Sequence, residues 1–65
     1  MTLDQKEYLE NVVAAFNDDP KHASEWEQSF MGDMSERLDK YGADTYVSAK
    51  QWAVITRVAE KYAVE

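Results

Sequence analysis

Hydrophobic residues recur at helical spacing in three separate stretches of this chain, and no strand-like alternation extends beyond Thr45-Tyr46-Val47. In the first stretch Leu9, Val12, Val13 and Phe16 follow the i, i+3, i+4, i+7 order of one buried helical face. Asp4, Glu7, Asn11 and Asp18 fall on the other side. The spacing predicts a helix over about residues 3–16. In the second, Trp26, Phe30, Met34, Leu38 and Tyr41 share a face, with Arg37 beside them and its head free to reach water. That predicts a helix over 25–41. In the third, Trp52, Ile55, Val58, Ala59 and Tyr62 form the inward face of a helix over 49–63, and Lys50, Val54, Arg57 and Lys61 occupy a narrow arc opposite.

Local chemistry punctuates these stretches at sensible places. Thr2 with Gln5, Ser24 with Glu27, and Ser48 with Gln51 each fit the capping box, in which a hydroxyl and a side-chain carbonyl satisfy orphaned backbone donors. Val47 and Trp52 bracket the last of these as a hydrophobic staple. Asn17-Asp18-Asp19-Pro20 is turn chemistry that stops the first helix, since proline disfavours helix in the residue before it. Lys40-Tyr41-Gly42 closes the second, with glycine free to take positive φ just past the helix end. Gly32 lies opposite the apolar face of the second helix, as a plain surface glycine, as a weak point where that helix breaks in two, or as a place of close approach by a partner. The expected architecture is all-α: three amphipathic helices in a single domain spanning 1–65.

Length makes this a demanding design. A chain of 65 residues without cysteine has one small core and neither disulfides nor thiolate metal sites to help it. No apolar run approaches a membrane span, and MTLDQKEY lacks the basic and apolar regions of a signal peptide, so a cytoplasmic setting is expected. The formal net charge of −6 opposes general attraction to nucleic-acid phosphates.

The inventory of reactive groups is thin. The one histidine, His22, reads as a solvated loop residue with no nucleophile placed beside it. Asn17-Asp18-Asp19 opens like a calcium loop, but His22 stands where the sixth-position glycine belongs and Lys21 fills a ligand position. Glycine-rich phosphate loops are absent, and no acid/base pair can be named. The expectation is a non-enzymatic protein with no catalytic, metal or cofactor residues. Two surfaces remain as candidate contacts. Lys50, Val54, Arg57 and Lys61 form a basic arc suited to an acidic partner or a phosphate. Asp4, Glu7, Glu10, Asp18 and Asp19 form an acidic face that would imitate a phosphate backbone. The plainer account of either is a solvated helix surface.

The segment FMGDMSERLDKYGADTYVSAKQWAVITRVAEKY, from Phe30 to Tyr62, resembles a pattern in small phage and prophage proteins and in short modules attached to phage DNA-processing proteins. There an aromatic-led helix ends in K-Y-G and is followed by T-x-x-S-x-K-Q-W and an R-V-A helix. The resemblance implies phage-type origin and a bacterial host cytoplasm, and it assigns no site residues. Val47 to Ala59 is also similar to the opening helix of bacterial helix-turn-helix regulators, but no recognition helix follows it here. Together these point to a small protein that binds and modulates another protein, with host or phage nucleic-acid machinery as the partner, in host takeover or anti-defence. A nucleic-acid accessory module using the basic arc is the second reading. A self-assembling protein is the third, suggested by two tryptophans and four tyrosines in so short a chain.

Overall fold

Each helix begins on a reciprocal lock between two side chains and the backbone. In the computed structural model, which describes residues 1–64, these locks open α1 (Leu3–Asp18), α2 (Glu25–Tyr41) and α3 (Ala49–Lys61). The Thr2 N–H donates to Gln5 Oε1 at 2.8 Å and the Gln5 N–H to Thr2 Oγ1 at 3.1 Å. Ser24 and Glu27 exchange the same pair of bonds at 2.8 and 3.2 Å, and Ser48 and Gln51 at 2.9 and 3.2 Å. All three capping boxes expected from the sequence are present. Each stabilises its helix by about 1 kcal/mol, so together they supply a large share of what so small a core can hold.

Two helix ends differ from expectation. α1 continues two residues past Phe16, because Asn17 and Asp18 tolerate helical geometry and only Asp19, which precedes Pro20, is forced to extend (φ −153°, ψ 80°). A short 3₁₀ turn over Pro20–His22 then leads to α2. α3 stops at Lys61 rather than near 63, in a Schellman closure. The Val64 N–H donates to the Ala59 carbonyl at 2.9 Å and the Ala63 N–H to the Glu60 carbonyl at 3.3 Å. Alanine, not glycine, takes the left-handed position there, with Ala63 at φ 56°.

α2 does not break. It runs unbroken through Gly32, around which a built Cβ would meet nothing within 4 Å. Gly32→Ala is therefore expected to stabilise the protein by about 1 kcal/mol and raise Tm by roughly 4–8 °C, as thermal denaturation would show. A melting point that falls would mean that this face is covered. At Gly42 positive φ is needed: φ 56° and ψ −131° turn the chain out of α2, and the Gly42 N–H closes on the Leu38 carbonyl.

The core lies where the three helices meet. α1 contributes Leu9, Val12, Val13 and Phe16, and α3 contributes Ile55, Val58 and Ala59, as their periodicity predicts. Val47 and Trp52, the staple pair, pack against the core while half-buried. α2 is turned away from the expected orientation. Its buried residues are Glu27, Met31, Met34 and Leu38, whereas Trp26 is 62% and Tyr41 52% exposed and Phe30 is half-buried. The difference is a rotation of roughly 50° about the helix axis, half of one residue's step. It carries Met31 and Glu27 inward, and Glu27 finds its counter-ion across the bundle in Lys61.

Candidate protein-binding surface

The turn after α2 positions the most conspicuous surface of the molecule. Thr45 is buried, and its hydroxyl lies 3.1 Å from the Arg37 carbonyl and 2.7 Å from the Gly42 carbonyl, donating to this pair. The Thr45 N–H adds a bond to the Gly42 carbonyl at 3.1 Å. These contacts hold the residues after Gly42 against the last turns of α2. Tyr46 projects beyond them, 79% exposed. Arg37, Tyr41, Asp44, Thr45 and Tyr46 line one open groove of about 420 Å³. A second, of about 290 Å³, is lined by Asp33, Glu36, Arg37, Lys40 and Tyr41. Arg37 and Tyr41 form the ridge common to both.

Further towards its N-terminus the same side of α2 carries Trp26 and Phe30, whose rings stack at 5.6 Å with planes 12° apart. Trp26, Phe30, Asp33, Arg37 and Tyr41 thus mark one lane along α2, roughly 22 Å long at the rise of an α-helix. Lys40 Nζ sits 5.4 Å from the Tyr41 ring centroid and covers part of that ring. Among the described residues Trp26, Tyr41 and Tyr46 are three of the four large hydrophobic side chains that are exposed, Leu3 being the other. Periodicity places Trp26, Phe30 and Tyr41 in the core; Phe30 packs against it while half-buried, whereas Trp26 and Tyr41 face outward, so this surface is not legible in the sequence.

The basic arc expected on α3 is only partly assembled. Lys50 and Arg57 are exposed. Val54 is instead half-buried and packs against the core, because it stands at the edge of the buried sector and not opposite it. Lys61 reaches back to α2, where its Nζ pairs with the carboxylate of Glu27. That carboxylate is buried and also accepts the Ser24 N–H. The Lys61 bond, first, and the Ser24 backbone donor, second, hold its pKa below the usual value against the opposing effect of burial.

The acidic residues of α1 are spread along its length. Asp4, Glu7 and Asp18 are exposed, and Glu10 pairs with Lys6 at 3.3 Å. Asp19 lies at the far end, 3.0 Å from His22 Nε2. The Asp19 carbonyl accepts the Tyr62 hydroxyl at 2.6 Å, and Tyr62 packs edge-on against Phe16 and His22. Burial, reinforced by the nearby Asp19 charge, pushes the Tyr62 hydroxyl above its ordinary pKa. His22 is accordingly a bracket between the 3₁₀ turn and α3 as well as a solvent-facing loop residue.

Among the described residues no three His, Cys, Asp or Glu side chains gather as a metal site, and no helix is long and apolar enough to cross a membrane. Comparison with known proteins finds no match to a family model, to a curated protein or to a solved structure.

Proposed function

We propose that this protein is a non-enzymatic binding module that acts on another protein through the aromatic lane of α2 and the adjoining Tyr46. One observation carries the reading: Trp26, Tyr41 and Tyr46 are exposed in a molecule too small to leave apolar area uncovered at no cost, and Arg37 stands among them. Tryptophan, tyrosine and arginine are the residue types that most often dominate the energy of a protein interface. Their rings would return roughly 25 cal/mol for each Å² of apolar surface removed from water.

Electrostatics narrow the choice of partner. A net charge of −6 steers the molecule towards positively charged surfaces. Proteins that handle nucleic acid carry such surfaces, and the phage-like segment from Phe30 to Tyr62 points the same way. The partner in this reading is a component of host or phage nucleic-acid machinery in the bacterial cytoplasm, and the role is host takeover or anti-defence. The basic arc serves a nucleic-acid reading less well, since Lys61 is engaged by Glu27 and only Lys50 and Arg57 stay outward.

A photoreactive phenylalanine analogue in place of Tyr46 tests the reading in bacterial cells. It should crosslink to a discrete protein, and Arg37→Glu or Trp26→Ala should reduce the crosslink by about tenfold or more with helical circular dichroism unchanged. Capture that is indifferent to both substitutions would locate the contact elsewhere.

A further inference from the structure

The lane on α2 is close to a palindrome about its midpoint, which falls between Asp33 and Met34. Trp26 and Tyr41 stand equally far from that point on either side, and so do Phe30 and Arg37. When two copies of α2 lie antiparallel about a two-fold axis through the midpoint, each side chain meets the other member of its pair. Trp26 of one copy meets Tyr41 of the other, ring against ring. Arg37 of one copy lies over Phe30 of the other, a cation against an aromatic face. Asp33, next to the axis, is then about one helical turn from Arg37 of the second copy, within reach of its long side chain.

Charge favours the same arrangement. The molecule as a whole is strongly acidic, which opposes self-association. Along the lane, however, Asp33 and Glu36 are balanced by Arg37 and Lys40. None of these four takes part in an ion pair among the described residues. The lane is a place where two acidic molecules can meet with no net charge between them, and the two Asp33 carboxylates that come together beside the axis each have Arg37 of the other copy within reach.

We infer that two copies of this chain pair antiparallel through the α2 lane, and that this pairing covers the surface offered to a foreign protein. Self-pairing and partner capture then exclude each other, and the free concentration of the protein regulates its own binding face. The inference rests on the preceding reading only in taking the lane as that face. A contact one helix wide and roughly 22 Å long belongs to the small, transient class of interfaces, for which a Kd of about 10–100 µM is expected. Such a dimer dissociates readily in favour of a tighter partner.

Sedimentation equilibrium of the whole chain at physiological salt tests this. The wild type should show a monomer–dimer equilibrium in that range, and Arg37→Glu should raise its Kd at least about tenfold. Arg57→Glu changes the net charge equally but lies on α3, and it should leave the equilibrium within about twofold of wild type. Geometry has its own readout, because the chain has no cysteine. Under mild oxidation Asp33→Cys should crosslink across the axis, whereas Lys40→Cys should not, since antiparallel pairing separates its two copies.

Three results would overturn the pairing: a monomer at about 1 mM, equal weakening by Arg37→Glu and Arg57→Glu, or crosslinking of Lys40→Cys as efficient as that of Asp33→Cys. A monomer that still captures a foreign protein at Tyr46 ends the pairing and leaves the binding reading standing. A monomer that captures nothing ends both.

Discussion

Lys61→Met is expected to destabilise the protein by about 2–3 kcal/mol in urea denaturation at neutral pH. Glu27 is only 4% exposed, and its carboxylate has two partners, the Lys61 ammonium and the Ser24 N–H. Removing the lysine leaves a buried negative charge with one backbone donor. Breaking a fully buried pair costs about 3–5 kcal/mol. The Lys61 side chain is 37% exposed, so water can enter where it leaves and the cost falls below that range. For a one-core domain holding roughly 3–5 kcal/mol in total, this is still most of the stability. Glu27→Gln should cost less, about 1 kcal/mol, because glutamine keeps the capping box and the freed ammonium turns to solvent. The double variant should cost less than the sum, since the two residues share one interaction. A Lys61→Met protein within about 0.5 kcal/mol of wild type would show the pair to be incidental.

The same pair sets an acid dependence. The pKa of Glu27 is lowered in the folded protein, chiefly by Lys61. A carboxyl of this kind contributes stability that is fully present above its unfolded value, near the reference 4.5, and is lost as pH falls through its lower folded value. Wild-type stability should therefore decline below that reference, and Lys61→Met should flatten the decline by removing its main cause.

What the sequence revealed, and what it hid, follows from the range of the forces involved. The helix starts were legible because a capping box is written in four consecutive residues, and Thr2, Ser24 and Ser48 behave alike whatever the rest of the molecule does. The inward faces of α1 and α3 were legible because each has a single apolar lane. α2 has two, displaced by one residue: Trp26, Phe30, Arg37 and Tyr41 beside Glu27, Met31, Met34 and Leu38. The second lane opens with an acid, which makes it the poorer core by composition. In the folded protein Lys61, 34 residues away, neutralises that acid. Periodicity within one helix carries no record of such a partner. The end of α3 was hidden for a related reason, because Ala63 adopts positive φ without the glycine that usually announces it. The candidate contact surface was misplaced by the same rotation, since Trp26 and Tyr41 face outward while Met34 and Leu38, assigned to the same face, are buried and Phe30 is half-buried against the core.

Met31→Ala should cost about 2–4 kcal/mol and Trp26→Ala less than about 1 kcal/mol, although tryptophan is much the larger side chain. Met31 is fully buried among residues of all three helices, so its truncation leaves a cavity that the close-packed surroundings cannot fill. Trp26 is 62% exposed and has Phe30 as its stacking neighbour, so its removal forfeits one aromatic contact and returns little else to water. Had Trp26 faced the core, the order of the two losses would reverse, and a pair of thermal melts therefore measures the orientation of α2 directly. The two variants should also fail as binders in different ways. Met31→Ala should lose capture in step with its helical signal and regain it in a stabilising osmolyte, which favours the compact state. Trp26→Ala should keep its fold, lose capture, and gain nothing from the osmolyte, because what it lacks is the ring that a second chain would cover.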